Sequence, residues 1–450
     1  MKKPNSAPAL FSNESLRKLL VPLVVEQVLV MTVGMVDTVM VASAGEAAVS
    51  GVALVDMVNY LIITVMAALT TGGSVIISQY MGSRQPDRAE RSAGQLMAVS
   101  TVLSAAILLL CLIGRDGILR LFFGAVESDV MAAARTYFFI TACSFPFLGI
   151  YDTSAALYRV MGKTRITMYV ALAMNMLNIA GDFIGVFVFH AGVVGVAVPT
   201  LVSRTFAAVI MTVLACGKQN SIRLERQHIF VWDRDMIRRI LKIAVPSGVE
   251  NGLFALGKVL VTSIVAGFGT FQIAANGVAN SIDQIAVMVV NANNLAIVPV
   301  VGRCIGSKDD MQAQQYTKKL MKISYVFTAV LSVVIAALLP VLLRFYNLSD
   351  DTLHLAATLI ILHNLMAVIL HPTSFNLANS LRAAGDAKFT MEVGISSMVV
   401  FRLGSAVLFG EIFHLGVLGV WIAMGLDWLA RSVAFVWRYK LGKWRNINTI

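Results

Sequence analysis

Three polar residues, Asn175, Asn178 and Asp182, stand three and four apart in Asn175-Met-Leu-Asn-Ile-Ala-Gly-Asp182. On an α-helix that spacing puts them in one stripe on one face. Met168 to Leu177 and Phe183 to Phe189 flank them with apolar side chains, and the segment is long enough to cross a bilayer. A carboxylate at membrane depth costs roughly 2.5 to 3.5 kcal/mol to insert, and intramembrane acids usually mark ion pathways. The expectation is that the remaining chain holds this stripe against a second acid. The plainer alternative is that Asp182 ends its helix and is solvated.

The composition fixes the setting. Of 450 residues, 58% are hydrophobic and 14% charged, with a mean hydropathy of +0.78. Soluble domains carry about 25% charged residues, so the chain reads as an all-α integral membrane protein. Its net charge of +11 therefore belongs to topology, and no nucleic-acid partner is expected. Cys111, Cys143, Cys216 and Cys304 form no CxxC or Cys/His cluster, so neither a disulfide framework nor a zinc site is implied. The N-terminus has no signal-peptide pattern.

Twelve apolar runs, near 18–42, 52–80, 93–114, 131–156, 165–188, 192–216, 241–267, 273–301, 319–342, 354–381, 390–410 and 414–438, predict twelve transmembrane helices. They are continuous where barrel strands would alternate with period two. Of the 36 lysines and arginines, 28 fall in the tails and in alternate loops, beginning with Lys2 and Lys3, and the opposite loops hold only Arg115, Arg120 and Arg344. The positive-inside rule then places both termini in the cytoplasm of a multi-pass plasma (inner) membrane protein.

The second half repeats the first. Pro22 with Glu26-Gln27 matches Pro246 with Glu250-Asn251, Met-Gly-Ser-Arg (81–84) matches Ile-Gly-Ser-Lys (305–308), and His190 matches His414, all 224 residues apart. Arg159-Val-Met-Gly162 matches Arg382-Ala-Ala-Gly385 at 223. Six helices per repeat keep the orientation, so the repeats are parallel, an arrangement that puts a cavity between two lobes able to rock. The domains expected are a cytoplasmic tail (1–17), an amino-terminal lobe (18–217), a basic interfacial linker (218–240) carrying Phe230 and Trp232, a carboxy-terminal lobe (241–438) and a second tail (439–450).

These residues resemble the multidrug and toxic compound extrusion (MATE) transporters. The matching pieces are Pro22 followed by Asp37 in Val33-Gly-Met-Val-Asp-Thr-Val-Met40, then Ser78-Gln-Tyr-Met-Gly-Ser83, Arg159-Val-Met-Gly-Lys163, Asn178-x3-Asp182 and Pro199-Thr200. The resemblance covers the whole chain. It implies a cation-coupled antiporter that expels small organic cations, with no cofactor beyond the coupling ion, Na⁺ or H⁺. Carried onto this chain, the cation site would be Asp37, Asn178, Asp182 and Thr200, supported by Asn175 and Pro22. One departure stands out: the tenth helix, His371-Pro-Thr-Ser-Phe-Asn376, has no acid, so the resemblance carries no carboxy-lobe cation site to Glu250.

The residues themselves allow the same chemistry. Two close carboxylates, Asp37 and Asp182, would hold a sodium ion through oxygen ligands or share a proton, and Asn178 and Thr200 add neutral oxygens. The alternative for Asp37 is a helix end at the outer interface, since Ala42-Ser-Ala-Gly45 follows. Glu26, Gln27, Glu250, Asn251 and Asp283 are expected to line a substrate cavity. For the repeated Glu26 and Glu250 the alternative is a structural bond kept from duplication. Asp427 and Arg431, four apart, read as a structural ion pair. Lys258, Arg204 and Arg402 are unusual cations for membrane segments. His190 and His414 read as interfacial. No nucleotide loop, HExxH or GxSxG occurs, so the chain is not expected to be an enzyme, and energy must come from an ion gradient. The rival reading is a lipid-linked glycan flippase, which would need a basic cavity where this chain has deep acids. A monomer in the lipid bilayer is expected.

Overall fold

A computed structural model describes residues 9–43, 45–124, 126–344, 346, 348–447 and 449–450. Lys2 and Lys3, counted above among the tail cations, lie outside the described residues. The helices are α1 (Asn13–Ala42), α2 (Glu46–Gly82), α3 (Pro86–Phe123), α4 (Ser128–Cys143), α5 (Phe145–Val160), α6 (Thr164–Phe183) and α7 (Val194–Ala215). They continue with α8 (Arg226–Phe230), α9 (Arg234–Ala266), α10 (Thr270–Gly306), α11 (Asp310–Arg344), α12 (Asp350–Ala383), α13 (Ala387–Ser397) and α14 (Val417–Lys440). No strand occurs among the described residues. Among the described residues, eleven helical segments are long and apolar enough to cross a membrane. The twelfth span is the pair α4 and α5, bent by 44°. Pro146, at the start of α5, lacks the N–H that would continue the α4 ladder, so one apolar run becomes two helices.

The chain groups into two compact units, Asn13–Gly248 and Val249–Ile450, the latter with the described residues up to Ser12. In the first, α1 packs on α6, α6 on α7, and α2 on α3, α4 and α5. Its core joins Val52, Val55 and Val58 to Tyr137, Phe138 and Phe145. In the second, α10 packs on α11 and α12, and α12 on α14. The residues after α7 are tied to α3: Gln95 Nε2 donates to the carbonyls of His228 (2.6 Å) and Val231 (2.7 Å), and Asp233 N donates back to Gln95 Oε1 at 3.0 Å. Phe230, Val231 and Trp232 remain exposed, as suits a membrane-surface segment.

The repeat is written into the backbone. The left-handed residues pair across the halves: Arg84 (φ 58°) with Lys308 (57°), His190 (50°) with His414 (55°), and Gly45 (104°) with Gly269 (99°). The fifth span of each repeat ends in π-helical turns, Ile184–Val188 in one half and Met398–Gly404 then Val407–Ile412 in the other. A π-turn absorbs one extra residue. This accounts for the offset rising from 223 at Arg159/Arg382 to 224 at His190/His414. The turns after them match bond for bond at 224: Phe189 N donates to the Ile184 carbonyl, and Phe413 N to that of Leu408.

Candidate cation site in the amino-terminal half

Three elements assemble this site: α1 brings Asp37, α6 brings Asn178 and Asp182, and α7 brings Thr200. The α6–α7 approach depends on glycine. A Cβ on Gly195 would lie 2.6 Å from the Gly185 carbonyl carbon, and one on Gly181 would lie 2.7 Å from Pro199 Cβ. Only bare backbones pass that closely. The contact fixes the register in which Asn178 Nδ2 donates to Asp182 Oδ1 at 3.3 Å and reaches Thr200 Oγ1 at 3.5 Å. Thr200 Oγ1 itself donates to the Val196 carbonyl at 3.1 Å, which leaves its lone pairs available.

Asp182 is fully buried, and Asn175 and Asn178 are buried on the same face. The solvated-end alternative for Asp182 therefore does not describe this structure. The Asp37 and Asp182 carboxylates lie close enough to interact directly. Yet Asp37 Oδ1 and Asp182 Oδ2 are buried and accept nothing from a protein donor. Two facing carboxylates without a donor between them suit a shared proton or a cation such as Na⁺, which prefers oxygen ligands. The Asn178 and Thr200 oxygens complete an all-oxygen donor set.

Asp56, Asp152 and Arg204 surround this site. Asp56 Oδ1 accepts from Asn59 Nδ2 and from the Tyr137 hydroxyl, each at 3.3 Å. Arg204, on α7, donates to Ser144 Oγ at 2.7 Å at the α4–α5 bend and lies within electrostatic reach of Asp37, Asp56 and Asp152. The polar α2, α4 and α7 residues thus form a second ring about the acid pair. Tyr137 carried no sequence signal, since one tyrosine in an apolar run looks like core.

Among the residues expected to line a substrate cavity, Glu26 and Glu250 have definite partners. Buried Glu26 pairs with Arg159 Nη2 at 3.1 Å and accepts a hydrogen bond from the Thr167 hydroxyl. Buried Glu250 pairs with Arg382 Nη2 at 2.6 Å. The two ion pairs are repeat-related, and each ties the first helix of its half to the end of the fourth span. Gln27 and Asn251, next along those helices, are half-buried. Pro22 is buried inside α1. Asp283 lies 3.1 Å from His363 Nδ1, both buried, and His363 packs edge-on against Trp421 and Trp428. Asp427 and Arg431 pair at 2.9 Å, as their spacing required.

The MatE family model matches residues 22–184 and again 246–408, two stretches of equal length set 224 residues apart. The chain is 29% identical over 437 residues to the uncharacterized transporter YisQ of Bacillus subtilis, covering 96% of this chain and 94% of that protein. It is 26% identical to a probable multidrug resistance protein NorM of Thermotoga maritima, covering 96% and 93%. Among solved structures it shares the fold of a multidrug resistance MATE family transporter in an outward-facing conformation, with TM-score 0.89, 19% identity and 96% of each chain covered. A MOP superfamily transporter from Pyrococcus furiosus aligns with TM-score 0.88 and 20% identity over 96% of this chain and 97% of that one. With the family model matched in both halves and the twelve spans in place, the chain belongs to the MatE family of multidrug efflux transporters, and it is a membrane transporter, not an enzyme.

Proposed function

We propose that the protein is a secondary antiporter that exports amphipathic organic cations in exchange for Na⁺ or H⁺ bound at Asp37, Asn178, Asp182 and Thr200. The observation that carries this reading is the contact between Asp37 and Asp182, with one buried, donorless oxygen on each. Antiport requires that the ion and the substrate stabilise different states of the protein, with a differential affinity of a few kcal/mol. An acid pair can do this, because its charge is neutralised when the ion binds and exposed when it leaves. Asn175 and Pro22 support it, one by extending the polar stripe and the other by freeing a backbone bond in α1. In this reading the chain works as a monomer in the plasma membrane with both termini cytoplasmic, supported by the basic bias of alternate loops. It divides into tail 1–17, lobe 18–217, linker 218–240, lobe 241–438 and tail 439–450.

The test is transport in proteoliposomes loaded with ethidium, with Na⁺ and H⁺ gradients imposed separately. One gradient should drive ethidium against its concentration. If neither does so in sealed vesicles of active protein, ion coupling is refuted.

A further inference from the structure

The internal repeat gives every residue of the amino-half site a counterpart 224 positions on, and there the charge is inverted. Asp37 corresponds to Val261, Asp56 to Asn280, and Asp182 to Ala406, which is fully buried as Asp182 is. Thr200 corresponds to Met424. Asn178 falls opposite the π-turn Met398–Gly404, where Arg402 takes its place, and Gly34 corresponds to Lys258. Asp37, Asp56 and Asp182 have neutral counterparts and Lys258 and Arg402 are added, while Arg204 corresponds to Trp428 and Asn59 to Asp283.

These counterparts converge. Lys258, Val261, Asn280, Arg402, Trp421 and Met424 line one cavity of about 190 Å³ in the carboxy-terminal unit, and none of its lining residues is acidic. Arg402 Nη1 lies 3.7 Å from Asp427 Oδ2, but the other oxygen of Asp427 accepts from Arg431 Nε at 2.9 Å and from the Ser397 hydroxyl. One carboxylate thus serves two guanidinium groups, and Arg402 Nε is buried and donates to no protein acceptor. Glu250 is held by Arg382, and Asp283, 3.1 Å from His363 Nδ1, is a further buried acid of this half whose oxygens accept no protein hydrogen bond. Lys258 Nζ, 5.5 Å from the centre of the Phe254 ring, adds a further cation at the cavity wall.

We propose that this cavity binds an organic oxyanion, with Lys258 and Arg402 as its charged ligands and Val261, Trp421 and Met424 against its apolar body. Guanidinium and ammonium groups are the side chains that recognise carboxylate and phosphate. The cavity is smaller than the roughly 300–1,000 Å³ that encloses a whole drug-sized ligand, so it fits the acidic group and one ring. The substrate range would then include organic acids and zwitterions beside cations. This site does not depend on the coupling role given to Asp37 and Asp182, and its test uses binding without a gradient.

Full-length protein in phosphatidylcholine nanodiscs is titrated with benzoate by calorimetry, and benzylamine serves as the cationic control. Wild type should bind benzoate, and excess benzylamine should not displace it. Lys258→Gln and Arg402→Gln should each bind it about tenfold to hundredfold more weakly, the loss of one charge-assisted hydrogen bond. Lys388→Gln, which removes an exposed cation of the same half, should bind like wild type. In phosphatidylglycerol nanodiscs, suppressed benzoate binding assigns the site to a lipid phosphate, and unchanged binding assigns it to a soluble acid; both retain the anion site. Absence of benzoate binding by wild type in phosphatidylcholine overturns the proposal. So does a Lys258→Gln protein that melts like wild type and binds benzoate equally well.

Discussion

Gly195→Ala tests whether the α6–α7 approach builds the cation site. The new Cβ would sit 2.6 Å from the Gly185 carbonyl carbon and 2.7 Å from its oxygen, whereas ordinary contact begins at 3.4 Å. Both are backbone atoms and cannot rotate away, so the helices must part by the difference, about 0.8 Å. Forced overpacking of this kind costs about 1–3 kcal/mol. The Asn178–Thr200 contact, already at 3.5 Å, lies at the limit of a hydrogen bond and would be lost. The expected result is a lower melting temperature in detergent together with weakened ion-dependent transport. Gly277→Ala is the control. Its Cβ would meet nothing within 4 Å, and alanine in an unhindered helix position is stabilising by about 0.4–1 kcal/mol. If Gly195→Ala melts at or above wild type while Gly277→Ala behaves as expected, the close approach does not organise this site.

Further outcomes follow from the ion pairs, the connector and the topology. Glu250→Gln or Arg382→Met alone should destabilise by roughly 3–5 kcal/mol by stranding a buried charge, and the double variant should recover much of that; thermal unfolding of all three checks it, and a double variant as unstable as the worse single one would refute the pairing. Gln95→Leu removes three bonds to the segment after α7, so limited proteolysis should cut near His228 faster than in wild type. In a cysteine-free background, Leu415→Cys should react with an impermeant maleimide added outside cells and Arg88→Cys should not; the reverse pattern would end the topology model.

The twelve spans and the repeat were legible because they rest on local signals, apolar runs and recurring short motifs. Asn175, Asn178 and Asp182 were legible because helical spacing alone puts them on one face. Contacts distant in sequence were not legible. Glu26 and Arg159 lie 133 residues apart, and both were visible as repeated motif residues without any sign that they pair. The α4–α5 bend was hidden because hydropathy ignores backbone donors, though Pro146 marks it. The π-turns could be seen only as a one-residue slip between offsets of 223 and 224. The charge inversion of the second half needed that slip resolved before Arg402 could be set against Asn178.

In the proposed mechanism Asp37 and Asp182 together couple transport to an ion. Each is replaced by Asn, singly and together, and ethidium accumulation is followed in proteoliposomes under the driving gradient. Neutralising a membrane carboxylate lowers its insertion cost, so expression and folding should be maintained. Each single variant should lose gradient-driven transport while still letting ethidium equilibrate. A folded double variant that still concentrates ethidium would contradict this mechanism.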